Sequence, residues 1–270
     1  MLPTLAFERS MVALPLDVPL WWFITALSLA ALSLGIAKSG FGGGLGIIAV
    51  PLVASCLRVD HAVGVMLPIL IVADLVAAWQ HRQHWSRRHV RDTVTGALFG
   101  IIVGTWALWS MQAAGQLIPM LNGVIGGICL FFVFLQIWRL RGGWVPRLPD
   151  NSTAAVSSGF LCGVVSTVSH SAGPIMSVFL LEHGMAKRVL VATLVIFFFV
   201  VNLAKIPTYG CLGLITVETL KTSLIFFPLV PIGAVVGLWM HRRIQEGPFV
   251  AIMYVGAAAA GAHMIYKALA

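Results

Sequence analysis

Long apolar runs separated by short polar joints make up nearly the whole chain. The runs cover residues 18–37, 45–57, 62–79, 93–111, 117–138, 154–168, 173–181, 189–204, 219–240 and 248–268. A helix needs about 20 apolar residues to cross a ~30 Å hydrocarbon core, and most of the runs are long enough. Three are too short, 45–57, 154–168 and 173–181. They flank two interruptions rich in glycine or serine, GIAKSGFGGGLG (35–46) and STVSHSAGP (166–174). Membranes tolerate broken or re-entrant helices where the freed backbone is buried in protein or lines a cavity. The pattern therefore predicts an all-α polytopic membrane protein with broken or re-entrant helices at these two places.

The interruptions are related to each other. A shift of 128 residues lays Gly35 on Gly163, Gly42 on His170, Gly44 on Ala172, Val50 on Val178, Leu52 on Leu180 and Asp74 on Asn202. A shift of 129 lays Gly104 on Gly233. The expectation is one transmembrane domain over residues 1–270 built from two five-segment repeats. Repeat one spans about 18–138 and repeat two about 154–268, joined by a linker at about 139–153. Arg82, Arg87, Arg88 and Arg91 crowd the joint 80–92, and QAAGQ (112–116) has no charge. In the second half Arg242 and Arg243 occupy the later joint instead. Basic joints face the cytoplasm, so 80–92, 139–150, 183–188 and 241–247 lie inside and the two repeats are inverted. Inverted repeats with broken helices meeting near the midplane are the pattern of secondary transporters.

Composition agrees and narrows the function. Of 270 residues 59% are hydrophobic and 10% charged, against about a quarter charged in soluble domains. The net charge of +8 resides in the joints, where it orients spans, so nucleic-acid binding is not expected. The mixed charges Glu8, Arg9 and Asp17 before the first run argue for a retained first helix rather than a cleaved signal. Cys56, Cys129, Cys162 and Cys211 stand far apart in apolar surroundings, as core-packing residues do. No Walker A, GxSxG or HExxH pattern occurs, so neither an enzyme nor a cofactor is expected. His81, His84 and His89 make a loose HxxH…H run that lacks carboxylate or cysteine partners. It reads as a solvated loop, and no metal is expected.

The candidate chemistry sits at the interruptions. Lys38 and Ser39 with the backbone of Gly42, Gly43 and Gly44 would form an anion cradle at the start of the following helix; alternatively Lys38 ends the first helix and snorkels to the interface. Ser166, Thr167, Ser169, His170 and Ser171 offer hydroxyl and imidazole groups at the second interruption, with Gly173 and Pro174 restarting a helix. His170 is also a proton carrier near neutral pH. Asp74 and Asn202 lie inside the spans that follow. An aspartate at that depth costs about 2.5–3.5 kcal/mol and calls for a partner or a function; Lys38 or His170 would be that partner, in a structural ion pair or a proton path. Lys205 shares a helix face with Asn202 and is either a second anion contact or a terminal lysine. The predicted substrate-binding set is thus Lys38, Ser39, Gly42, Gly43, Gly44, Ser169, His170, Ser171, Gly173, Asn202 and Lys205, with Asp74 and His170 coupling to protons.

The segments AKSGFGGGLGIIAVPLV, LPILIVADLVAAW, VSHSAGPIMSVFLL and FFFVVNLAKIPTYGCLG, in this order, resemble the motifs of the sulfite exporter TauE/SafE family, also described as a 4-toluene sulfonate uptake permease family. The likeness covers nearly the whole chain. It departs at HSAGP, where many relatives have a second glycine in place of Ala172. The resemblance implies import or export of small sulfur-containing anions, such as sulfite or organosulfonates, across the cytoplasmic (inner) membrane as a multi-pass carrier. Competing readings are a divalent metal cation permease and an anion channel. The lysines outnumber acidic residues at the interruptions, which favours the anion. The expected partners are the anion and the lipid bilayer. The small-residue stretch GVIGG (123–127) suits a homodimer or internal packing equally.

Overall fold

The computed structural model describes residues 18–41, 46–82, 85–143, 149–181, 183–243 and 246–269. In chain order these form α1 (Leu20–Phe41), a 3₁₀ turn (Gly46–Ile48), α2 (Ala49–Ala54), α3 (Val59–His81), α4 (Arg87–Ala113), α5 (Leu117–Leu140), α6 (Ser152–Ser169), α7 (Gly173–Leu181), α8 (Lys187–Ala204), α9 (Ile206–Cys211), α10 (Val217–Phe226), α11 (Leu229–Arg243) and α12 (Glu246–Leu269). Among the described residues there is no strand. Six helices are long and apolar enough to cross a membrane, with α8 and α9 taken as one rod; α10 and α11 make a seventh if a 43° bend is allowed. Large apolar side chains cover the outside: Trp21, Trp79, Ile102, Trp106 and Val235 are each about two-thirds exposed. Such a surface suits lipid rather than water.

Prolines set the bends. Pro228 carries no N–H, so the helix cannot continue hydrogen bonding through it, and the apolar run 219–240 becomes α10 and α11. Pro207, in the first turn of α9, divides the hydrogen bonding of α8 from that of α9 beside Lys205, although the two continue as one rod. Inside α3, Pro68 leaves the Gly64 carbonyl without a donor and loosens the turn before it.

Two expectations need correction. The run 154–168 is not too short to span. The Asn151 side chain accepts from the Ala154 N–H at 2.8 Å, and this N-cap starts α6 at Ser152, giving 18 residues. At the first interruption α1 continues through Lys38 and Ser39 to Phe41, so Lys38 stands in a helical last turn. Gly42, Gly43 and Gly44 lie outside the described residues.

The helices pack as pairs drawn from the two halves of the chain: α4 on α6, α1 on α11, α5 on α12 and α3 on α8. Glycines bring α4 and α6, and α1 and α11, into backbone contact. A Cβ on Gly163 (α6) would stand 2.3 Å from the Ala97 carbonyl oxygen of α4, and one on Gly35 (α1) 2.3 Å from the Val230 carbonyl oxygen of α11. The reciprocal contacts match as well. Gly100 meets the Phe160 carbonyl at 2.1 Å, and Gly233 the Leu32 carbonyl at 2.4 Å. Gly104 meets the Val164 carbonyl at 3.2 Å, and Gly237 that of Ile36 at 2.6 Å. Each pair of contacts is related by 128 residues on α1 and α6, and by 133 on α4 and α11. By its contacts Gly104 corresponds to Gly237, one helical turn beyond the Gly233 chosen by sequence.

One buried core surrounds α1, α2 and α3, with Leu34, Val63 and Met66; the other surrounds α6, α7 and α8, with Met176, Phe179 and Phe197. Ile175 packs against both. The polar site lies where the two meet.

Candidate functional site

Lys38, in the last turn of α1, reaches Asp74 in the middle of α3. Its Nζ is 2.7 Å from Oδ1, and the two side chains are 5% and 0% exposed. The approach lacks hydrogen-bond direction at Oδ1, so the link is an ion pair. The other carboxylate oxygen accepts from Asn202 Nδ2 of α8 at 2.6 Å. The Lys38 ammonium also lies over the Phe198 ring, 4.3 Å from its centroid, a favourable cation–π position. Phe198 is four residues before Asn202, on the same face of α8. Lys38 is therefore not a snorkelling terminal lysine. It is also the partner of Asp74; His170 is not.

The second lysine organises the other interruption. The last carbonyls of a helix have no intrahelical donor, and here α6 ends inside protein. Lys205 Nζ donates to the Ser166 carbonyl at 3.1 Å, to Ser166 Oγ at 2.9 Å and to His170 Nδ1 at 2.9 Å. Tyr209 Oη donates to the Thr167 carbonyl at 2.7 Å. A cation at a helix C-terminus also meets the negative end of the dipole. All three Lys205 protons are used in this cap, so Lys205 makes its contacts with protein rather than with the cavity.

His170 closes α6 in a left-handed conformation, φ 55°. Few side chains other than Gly, Asn, Asp and His accept this region. The turn brings its Nε2 to 3.1 Å from the Val63 carbonyl of α3, next to the turn that Pro68 loosens. A carbonyl only accepts, so Nε2 carries the proton and Nδ1 presents a lone pair to Lys205. A second proton on this ring would have to take Nδ1, beside an ammonium 2.9 Å away. The Lys205–His170 pair thus accommodates at most one positive charge.

A narrow cavity lies between the two clusters. It is lined by Lys38, Gly46, Ser166, His170, Gly173 and Asn202 together with apolar neighbours such as Phe198. Its crevices leave room for roughly one water. Of the predicted residues, then, Lys38, His170, Gly173 and Asn202 reach the cavity, and Asp74 and Lys205 stand directly behind it.

Among the described residues, the other predicted ones, Ser39, Ser169 and Ser171, do not line the cavity. Ser169 Oγ donates to the Val165 carbonyl at 2.8 Å, and Ser171 Oγ to the Ser169 carbonyl at 3.0 Å; both hydroxyls are used in the turn. Ser39 Oγ is buried with no partner among the described residues, and its carbonyl lies 3.1 Å from His81 Nε2. Phe198, Tyr209 and the Val63 carbonyl were not predicted. The first two stand four residues from Asn202 and Lys205, and that helical spacing is the signal that would have found them.

Buried basic and acidic side chains in this region are not matched one to one. Lys38 and Lys205 are 4% and 0% exposed and face one buried carboxylate, Asp74. Asp60, the acidic residue near the start of α3, is already paired with Arg58 at 2.8 Å. A family model described as Sulfite exporter TauE/SafE matches residues 27–264. No curated protein and no solved structure matches the chain. The match takes in both interruptions and every residue of the cavity wall, so the chain belongs to the sulfite exporter TauE/SafE family of membrane transporters.

Proposed function

We propose that this protein is a secondary transporter that carries a small sulfur-containing anion, sulfite or an organosulfonate, across the cytoplasmic membrane together with a proton. The observation that carries this reading is the uncompensated charge: two buried lysines against one buried aspartate. An unpaired charge in low dielectric is strongly unfavourable, and one bound monoanion removes the imbalance. Lys38 is the direct contact, since it lines the cavity and its ammonium has a single carboxylate partner, Asp74. Ser166, His170, Gly173 and Asn202 supply the polar remainder.

Proton coupling follows from the same imbalance. Release of a proton from the Lys205–His170 pair would neutralise the site as an anion does. A bound anion therefore holds that proton in place, and departure of the anion favours its loss, so the two travel together. Anion affinity falls as pH rises, because the lost proton is the excess charge. Asp74, which bridges Lys38 and Asn202, transmits this change between the halves.

The cavity is too narrow for a sulfonate, so α2 and α7 must part from the opposing helices to admit one. The matched contacts of α1 with α11 and of α6 with α4 support two inverted repeats that rock about this site, the arrangement expected for alternating access.

The test is thermal unfolding of the purified protein against sulfite, sulfoacetate, taurine, sulfate and chloride at two pH values. A specific ligand raises the Tm by mass action. The expected result is stabilisation by sulfite or a sulfonate, larger at the lower pH and absent in Lys38→Gln. No shift with any anion would reject the anion reading. A sulfonate keeps its charge across the neutral range, so pH-independent stabilisation by sulfoacetate would reject the coupling.

A further inference from the structure

Away from the cavity, three segments remote in sequence bring two imidazoles and a carboxylate together. His89 lies in the first turn of α4, Asp150 just before α6 and His183 just after α7. One ligand atom from each lies within 4.8 Å of the other two. Asp150 Oδ1 is 3.4 Å from His89 Nε2 and 4.0 Å from His183 Nε2. The His183 side chain is 2% exposed and that of His89 12%. Both Nε2 atoms are buried without a hydrogen bond, the His89 approach to Asp150 included.

The far sides of both rings are held. His183 Nδ1 is 2.6 Å from the Phe179 carbonyl. It must be the donor, which leaves Nε2 of the neutral ring as a lone pair aimed at the carboxylate. His89 Nδ1 is 2.8 Å from Ser86 Oγ, and the Ser86 N–H donates to Thr193 Oγ1 at 3.0 Å. A backbone carbonyl or hydroxyl on Nδ1, fixing the ring and turning Nε2 inward, is the support that metal-ligating histidines have. Arg88 approaches the same Asp150 oxygen at 3.7 Å and donates to the Asp150 carbonyl at 3.4 Å. Its side chain is 55% exposed, so its charge is largely met by water.

We propose that His89, Asp150 and His183 bind a divalent transition metal of the zinc type, with two imidazole nitrogens, one carboxylate oxygen and a fourth position open to water. Bonds of about 2.0–2.1 Å in a tetrahedral site place ligand atoms roughly 3.3 Å apart. The observed 3.4 and 4.0 Å separations approach that spacing, and Asp150, half exposed in the turn before α6, supplies the remaining movement. The metal would join the segment before α6, the start of α4 and the end of α7. Because α7 begins at Gly173 in the cavity wall, the metal would fix the far end of an element that the transport cycle moves. The run of His81, His84 and His89 does not make this site: His81 bonds the end of α1, and His84 lies outside the described residues.

The test uses the full-length protein without a histidine tag, stripped with a chelator and titrated with Co²⁺ as a spectroscopic probe. The expected result is one Co²⁺ per chain, with the visible absorption of a four-coordinate site, displaced by Zn²⁺ and accompanied by a rise in Tm. His183→Gln and Asp150→Asn should each weaken binding by at least about tenfold, and His61→Gln should leave it unchanged. If His183→Gln does not run as a folded monodisperse species, Asp150→Asn, at a half-exposed residue, carries the test. Absence of saturable binding, or unchanged affinity in Asp150→Asn, overturns the proposal. Lys38→Gln should bind Co²⁺ as the wild type does, so failure of the anion reading and failure of the metal site are separately visible.

Discussion

Lys38 and Asp74 meet 2.7 Å apart with almost no exposure, and Asn202 holds the other oxygen of the same carboxylate. One side chain thereby joins α1, α3 and α8, the first and last of which come from opposite halves of the chain. The lysine that a membrane segment could ill afford alone is tolerated because its partner is built into the next long helix. The pair uses the one carboxylate buried beside the two lysines, and Lys205 is left to the α6 cap, without a carboxylate of its own.

Removing one member of a buried pair leaves the other as an isolated charge, at a cost of about 3–5 kcal/mol. Lys38→Gln should therefore lower the Tm markedly. Adding Asp74→Asn to it should restore most of the loss, since no buried carboxylate is then left without its lysine. Anion-dependent stabilisation should be absent from both proteins. Thermal scans of the two variants in one detergent check this, and a Lys38→Gln protein as stable as the wild type would contradict the ion pair.

His170 separates backbone from chemistry. Its φ of 55° suits asparagine, whereas a β-branched residue there costs about 1–3 kcal/mol. His170→Asn should unfold at a higher temperature than His170→Val. Neither has an imidazole for Lys205, so sulfonate uptake by His170→Asn in proteoliposomes should lose the wild-type dependence on a pH gradient. Retention of that dependence would remove His170 from the proton path.

The sequence made some of this legible and hid the rest for identifiable reasons. Asp74 and Asn202 align at 128 residues, and they turn out to be bonded to each other. The second interruption was readable because Gly173 and Pro174 restart a helix by their own chemistry. The extent of α1 was not readable, since glycine and serine lower helix propensity yet packing against α11 keeps Ser39 and Gly40 helical. Nor could the sequence say that Ser166 faces the cavity while Ser169 and Ser171 turn back on the chain. That depends on rotation about α6 and on its left-handed end. The bend between α10 and α11 was hidden by the apolar residues around Pro228, which continue the hydropathy while the proline ends the hydrogen bonding.

Tyr209 offers a test of the helix cap. Its hydroxyl serves the Thr167 carbonyl at 2.7 Å in a fully buried setting. Tyr209→Phe keeps the ring and leaves that carbonyl without its donor, which costs about 1–3 kcal/mol for a buried group. A Tm drop with anion affinity unchanged is the expected outcome. A large loss of affinity with no change in Tm would place the hydroxyl on the substrate instead.

Gly163 and Gly35 test the relation between the two halves. A methyl on either would come 2.3 Å from a carbonyl oxygen of the facing helix, far inside contact distance, and backbone cannot turn aside as a side chain can. Overpacking of this kind costs typically about 1–3 kcal/mol. Gly163→Ala should force α4 from α6, and Gly35→Ala should force α11 from α1. Gly127 on α5 is the control: a methyl there has no neighbour within 4 Å, so Gly127→Ala should be neutral or stabilising through helix propensity. If the halves are structural repeats, the Gly163 and Gly35 variants should lose similar amounts of Tm, because each breaks the same contact in its own copy. A loss confined to one of them would mean that the two contacts carry different loads, and the inverted-repeat reading would lose its packing argument.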